Sequence, residues 1–203
     1  VFGDTLKENI FNFSFIMNTI SKDLDINKNI RGFEFSESSR HLSNQIDKSD
    51  VDCLVETASN NYSEICHRYY KYKAKFFGGK KLNYWDRNAP YPKQKELKIN
   101  WNEAKSIVVN AYSEFDDRFG KIANLFFENS WIHATVKKGK TSGAFSHPTV
   151  PSCHPCILIN YQGKIRDVMT LAHELGHWIH QYLANKNGVL LADTPLTLAE
   201  TAS

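Results

Sequence analysis

The spacing of apolar residues predicts a chain built mainly from helices. Between Asp167 and Ala184, apolar side chains recur every three or four residues, which is the period of a helix with one buried face. Gly120 is expected to interrupt one of the other helical stretches. Those stretches cover residues 4–24, 36–77 as one helix or two, 100 or 102 to 119, and 122–131.

Strands and turns are predicted only between Ile132 and Tyr161. Glycines divide this part of the chain, and the apolar run from Ile157 to Tyr161 is typical of a buried strand. The predicted fold class is therefore mainly α with a small β-sheet, which we expect to pack beside the helix of residues 167–184.

That helix contains a metal-binding motif, because residues His173 to His177 have the pattern H-E-x-x-H. Side chains four residues apart lie on one helix face, so both imidazoles can bind the same ion. Glu174 lies about 100° further round the helix, where it is poorly placed as a ligand but can reach a metal-bound water as general base. The motif indicates a zinc-dependent peptidase. Gly176, which costs about 1 kcal/mol relative to Ala in a helix, predicts a close approach of another backbone or of substrate.

A catalytic zinc ion usually has three protein ligands, so a third must follow the two histidines. Asp193, His180 and Glu200 are the candidates downstream. Three ligands from one helix would be poorly spread about a tetrahedral ion, so we expect His180 to support the ligands or to line the cleft. Glu200 is preferred, because Pro195 predicts the start of a second helix that would return antiparallel to the first.

Several segments resemble the active-site region of the oligoendopeptidase F group, whose members are relatives of thimet oligopeptidase. Residues 170–180, with the glutamate in 199–203, are similar to the group's H-E-x-G-H-x-x-H and its ligand Glu. Residues 139–146 resemble G-K-x-S-G-A-Y-S, residues 154–161 resemble H-P-x-I-L-x-N-F, and residues 85–90 resemble Y-D-x-x-A-P.

The resemblance implies one Zn²⁺ per chain, held by His173, His177 and Glu200, with Glu174 activating the water. It implies a zincin-like arrangement, in which the H-E-x-x-H helix lies beside an edge strand within a larger helical oligopeptidase. The reaction implied is hydrolysis of peptide bonds in short oligopeptides.

The edge strand implied by the resemblance is the segment from Ser142 to Ser146. Ser142, Gly143, Ala144 and Phe145 would then bind an extended peptide through main-chain hydrogen bonds, which tolerate many side-chain sequences. Phe145 stands where the group has Tyr, so a role for a hydroxyl at this position is not expected.

The group's chains are longer, and they place further substrate-binding His and Tyr residues well after the zinc Glu. We therefore expect residues 84–203 to form a partial zinc-peptidase catalytic domain, truncated at its C-terminal end. Residues 1–83 are expected to be a helical region of the same domain or of its N-terminal neighbour. The alternatives are another H-E-x-x-H peptidase, such as an aminopeptidase, or a metal-binding fragment that is catalytically incomplete.

Composition restricts the partners and the compartment. The net charge of +3 is too small to indicate a polyanionic partner, and no apolar run is long enough for a membrane span. We expect oligopeptide substrates, with no nucleic acid and no membrane as partners. Four cysteines in 203 residues are too few for a disulfide scaffold and predict a cytoplasmic protein.

Overall fold

A computed structural model describes residues 2–79, 81–91 and 97–203 of the chain. The chain divides into two compact units, Val1–Tyr72 and Lys73–Ser203. The division into residues 1–83 and 84–203, which assigns the second part to a catalytic domain, stays a prediction. In the described part of the chain, no helix combines the length and the apolar character that crossing a bilayer requires.

The first unit is helical. Helix α2 extends to Ile30, beyond the predicted end at residue 24. The prediction of one or two helices over residues 36–77 was wrong, because Gln45 adopts a left-handed conformation (φ 55°) that ends α3. Asp47 then caps α4. The helices are α1 (Phe2–Glu8), α2 (Ile10–Ile30), α3 (Ser38–Asn44), α4 (Lys48–Asn60) and, after a π-helical turn at Ser63–His67, α5 (Arg68–Phe76), which continues into the second unit.

The second unit contains α6 (Trp101–Phe115), α7 (Asp117–Glu128), α8 (Ile165–Ala184) and α9 (Leu196–Thr201). Asn100 begins α6, since its side chain accepts a hydrogen bond of 3.0 Å from the amide of Glu103. The sequence predicted a break at Gly120, but the break after α6 lies at Asp116. Asp116 has an extended backbone, and its carboxylate caps α7 by accepting from the amide of Arg118 at 2.7 Å.

A three-stranded sheet accompanies these helices, which confirms the predicted fold class. The strands are β1 (Ile132–His133), β2 (Ala144–His147) and β3 (Cys156–Ile159). Their spatial order is β1-β3-β2, with β1 parallel and β2 antiparallel to β3. Ala144 lies opposite Ile159. Strand β2 is the last strand in the order β1-β3-β2, so it forms an edge of this sheet.

The apolar face of α8 lies at the centre of the core. Leu171, Leu175 and Trp178 are almost fully buried, together with Phe126 of α7 and Ile157 of β3. The rings of Phe126 and Trp178 meet edge to face, with centroids 5.1 Å apart. Each such buried side chain stabilises the fold by about 1.5–3 kcal/mol. This packing fixes the rotation of α8 about its axis, and with it the direction of the polar residues on the same helix.

Candidate metal centre

The three predicted ligands lie together in the structure. Glu200 on α9 places Oε2 at 3.7 Å from Nε2 of His173 and at 3.8 Å from Nε2 of His177. The imidazole centroids are 4.6 Å apart, with the rings nearly perpendicular. One donor atom from each residue lies within 4.8 Å of the others. Residues from two helices thus converge on one point.

This donor set fits a small divalent cation. Zinc binds nitrogen and oxygen at about 2.0–2.2 Å, so tetrahedral ligands lie about 3.4 Å apart. The separations of 3.7 and 3.8 Å exceed that value by a few tenths of an ångström. Two imidazoles and one carboxylate leave a fourth position open, as in catalytic zinc sites.

The connection between α8 and α9 is held by Gln181. Its side-chain amide donates to the carbonyl of Ala192 at 2.8 Å and to Oδ1 of Asn185 at 2.9 Å. Pro195 then begins α9, so that Glu200 lies in the last turn of this short helix. The Gln181 amide therefore fixes the loop that returns the carboxylate to the histidines.

Gly176 permits a close approach between α8 and the residues that follow α9. A Cβ atom at this position would lie 2.6 Å from Cα of Ser203 and 3.1 Å from the carbonyl oxygen of Ala202. The first distance is well inside van der Waals contact, and the atom concerned belongs to the backbone. The backbone approach that the sequence predicted for Gly176 is therefore found in the structure.

Glu174 lies between the metal ligands and the core, with 6% of its surface exposed. Burial is the main cause of a raised pKa for its carboxyl group. The rings of His173 and His177 oppose that rise, Glu200 adds to it, and a hydrogen bond from the Ser146 side chain lowers the pKa slightly. The resulting group binds a proton more readily than an exposed glutamate, as a general base near neutral pH must.

The predicted peptide-binding segment lies along this centre. Ser142 and Gly143 precede β2, whereas Ala144 and Phe145 are its first two residues. Ala144 is half-buried, and Phe145 points outward with 47% of its surface exposed. As an edge strand, β2 offers alternate backbone amide and carbonyl groups to a further strand.

Two residues that shape this segment were missed from sequence. The Lys140 ammonium donates to the carbonyls of His133 (2.8 Å), Thr135 (3.0 Å) and Ile159 (2.7 Å). The side-chain amide of Asn160 donates to the carbonyls of Thr141 (2.9 Å) and Gly143 (3.0 Å). Both residues belong to the motifs quoted above, but spacing alone does not reveal which carbonyls they bind.

Clefts open on both sides of the metal centre. A cleft of about 240 Å³ is lined by His180 together with His177, Glu200 and Asp193. His180 is not part of the metal cluster formed by the described residues, so its place is along the cleft. A larger cleft of about 660 Å³ is lined by Glu174 and by the Ser142–Ala144 end of the edge strand.

Comparison with known proteins identifies the family, because the model of peptidase family M3 matches residues 5–203. The chain belongs to peptidase family M3. An oligoendopeptidase F homologue from Borreliella burgdorferi is 32% identical over 159 residues, which are 77% of this chain and 27% of that protein. The oligopeptidase PepF of Bacillus subtilis is 26% identical over 169 residues, 83% of this chain and 25% of that protein. The chain thus spans about a quarter of the length of these relatives.

The fold is also found in solved structures of other peptidases. PZ peptidase A, crystallised with an inhibitor, superposes with a TM-score of 0.71 at 20% identity. The match covers 89% of this chain and 33% of that one. The match to family M3 and the relatives named oligoendopeptidase F confirm the resemblance that the motifs predicted.

Proposed function

We propose that this chain forms the metal-binding and proton-transfer part of a zinc-dependent endopeptidase that hydrolyses short oligopeptides. The observation that carries the proposal is the convergence of His173, His177 and Glu200 within 4.8 Å, with the buried Glu174 on the same helix as the histidines. Membership of family M3 and the names of the oligoendopeptidase relatives support the substrate class.

Zinc, when bound, is a Lewis acid that makes water acidic enough to ionise near neutral pH and polarises the carbonyl to be attacked. Glu174 takes the proton from the attacking water on a carboxylate oxygen and passes it to the nitrogen of the leaving amine. Burial raises the pKa of Glu174, which brings its proton affinity closer to that required at neutral pH. Proton transfer of this kind contributes about 10²- to 10⁴-fold to rate.

The edge strand orients the substrate. A peptide that adds to β2 forms main-chain hydrogen bonds, so its own backbone lies extended beside Glu174 and the ligands. The Asn160 side chain holds the carbonyls of Thr141 and Gly143 just before this strand. Lys140 holds carbonyls of β1, of the chain after β1 and of the neighbouring β3, and together these bonds keep the edge in place before substrate arrives. Binding through the main chain explains why such an enzyme accepts many sequences.

The proposal is tested by zinc analysis and by cleavage of quenched fluorescent peptides in the full natural protein. Glu174→Gln keeps the shape of the side chain and removes the base, so we expect zinc to be retained and kcat to fall by about 10²- to 10⁴-fold. Glu200→Gln removes a ligand charge, so zinc affinity should fall. Glu114→Gln, on the exposed face of α6, is the matched control and should change neither.

Equal cleavage by the wild type and by Glu174→Gln would contradict the role of Glu174 as general base. Absence of bound zinc in the wild-type protein would contradict the metal centre. Cleavage only of substrates with a free amino terminus at the scissile residue would instead identify an aminopeptidase. Zinc binding without cleavage of any peptide would identify a metal-binding protein that lacks catalysis.

A further inference from the structure

The larger cleft beside the metal centre is rich in positive charge. It lies between the beginning of β2 and the first turns of α8, and it has a volume of about 660 Å³. Four cations line it, against two acidic residues. The cations are Lys137, Lys140, Lys164 and Arg166, and the acids are Asp167 and Glu174.

Three of these cations have no acidic counter-charge. The exposed side chains of Lys137, Lys164 and Arg166 form no ion pair with any acid in residues 2–79, 81–91 and 97–203. Asp167 forms no ion pair with them; its carboxylate accepts hydrogen bonds from the backbone amides of Gln162 (2.8 Å) and Lys164 (3.0 Å). A concave surface with an excess of positive charge, here four cations against two acids, concentrates its field and attracts anions.

The direction of the edge strand determines which end of a bound peptide reaches this cleft. Ser142, Gly143 and Ala144 line the larger cleft, whereas Ser146 and Pro148 line the smaller one. An added strand pairs more stably in the antiparallel direction, which is also the pairing of β2 with β3. A peptide antiparallel to β2 begins near His147 and runs towards Ser142. Its C-terminal side therefore enters the basic cleft.

We propose that Lys137, Lys164 and Arg166 form a site for a carboxylate on the C-terminal side of the bond that is cleaved. This site rests on the proposed peptidase function and adds a substrate preference to it. Ser146 contacts Glu174 and so marks the position of the chemistry. The strand begins at Ala144, two residues earlier and about 7 Å along the extended backbone, and the cleft continues past Gly143 and Ser142. The carboxylate is thus about two to four residues beyond the scissile bond.

Two sources can supply this carboxylate, namely the free C-terminus of a short peptide and an acidic side chain. Binding is measured by fluorescence anisotropy on the zinc-loaded Glu174→Gln form of the full natural protein, in which cleavage is slow compared with the measurement. One series compares free-acid and amidated peptides that end one to five residues after the scissile bond. A second series compares Glu with Gln at the same positions in amidated peptides.

We expect the best-placed carboxylate to bind about tenfold more tightly than its neutral counterpart, since three cations surround it. Raising the salt concentration to about 1 M should remove most of that difference, because the cations are exposed and screened. The triple variant Lys137→Gln, Lys164→Gln and Arg166→Gln should remove the preference while leaving the affinity for neutral peptides unchanged. Lys186→Gln, an exposed cation outside both clefts, is the matched control and should keep the preference.

Equal affinity for acidic and neutral peptides at every position would overturn the carboxylate site. A preference found only on the N-terminal side of the scissile bond would also overturn it, because the peptide would then run parallel to β2. Cleavage by the wild type, measured on the same peptides, tests the proposed function separately. A carboxylate preference in binding without any cleavage would contradict the peptidase reaction but not this site. Cleavage without the carboxylate preference would contradict this site but not the peptidase reaction.

Discussion

Replacing Gly176 by alanine tests the close packing of α9 against α8. The added Cβ would lie 2.6 Å from Cα of Ser203 and 3.1 Å from both the Ala202 carbonyl oxygen and the Tyr112 hydroxyl. Ordinary carbon contacts begin near 3.4 Å, so the chain after Glu200 must move by about 0.8 Å. Backbone atoms cannot relieve this contact as a flexible side chain would. The movement should pass directly to Glu200, three residues earlier.

Two effects of opposite sign determine the stability change. Alanine gains about 1 kcal/mol over glycine in a helix interior, while overpacking of a close contact costs about 1–3 kcal/mol. The net change is a destabilisation of about 0–2 kcal/mol. Metal affinity should change more clearly, since a ligand displaced by more than about 0.5 Å no longer satisfies the geometry of the site. A loss of about 1.4 kcal/mol in binding corresponds to a tenfold weaker zinc affinity.

The assay is competitive zinc titration with a chromogenic chelator, combined with thermal unfolding of the zinc-free protein. Gly3→Ala is the control, because Gly3 lies in α1 and a Cβ there meets no atom within 4 Å. That variant should leave zinc affinity unchanged and should not lower the melting temperature. A Gly176→Ala protein that melts higher and binds zinc as tightly as wild type would refute the close contact between α8 and the end of α9.

Three further substitutions test the supports of the site. Lys140→Met removes the donor for three carbonyls, so we expect a lower melting temperature and a higher KM for peptides. The control Lys138→Met, at a nearby exposed position, should change neither value. Asn160→Ala removes two hydrogen bonds to the start of the edge strand and should cost about 1–3 kcal/mol, measured by urea unfolding. Burial raises the pKa of Tyr112 to about 12 from its ordinary value of 10, so its contribution to stability is fully present below pH 10 and is lost as the pH rises towards 12. The free energy of unfolding of Tyr112→Phe should therefore fall less steeply with rising alkaline pH than that of the wild type. The same pH dependence in both proteins would contradict the raised pKa of Tyr112.

The sequence predicted the elements that carry strong periodicity and recognised chemistry. Helix α8 has an unbroken apolar stripe, so its position was predicted within two residues at the first end and correctly at the other. The pairing of Glu200 with the histidines followed from the start signal at Pro195 and from the expectation that the second helix returns antiparallel to the first. These features depend on local spacing, which a single sequence contains.

Tertiary contacts determined what the sequence did not reveal. The α6–α7 break lies at Asp116 because a carboxylate cap can form there, while Gly120 is needed inside α7 to make room for Ser113. The three carbonyls bound by Lys140 come from two strands and a loop that only the folded sheet brings together. The basic cleft joins Lys137 to Arg166, nearly thirty residues away in the sequence. A periodic pattern of apolar residues does not predict contacts between residues that lie this far apart in the sequence.

The spacing within α8 also explains why Glu174 is buried beside exposed or half-exposed ligands. Successive residues of a helix lie about 100° apart, so His173, His177 and His180 form a stripe about 160° away from Leu171, Leu175 and Trp178. Glu174 is about 60° from the apolar stripe and about 100° from His173, which places it between core and metal. Burial in the core raises the pKa of Glu174, and the helix places its carboxylate next to the three candidate ligands. Moving the carboxylate by one position in either direction would remove one of these two conditions, so the order of residues in the motif follows from helical geometry.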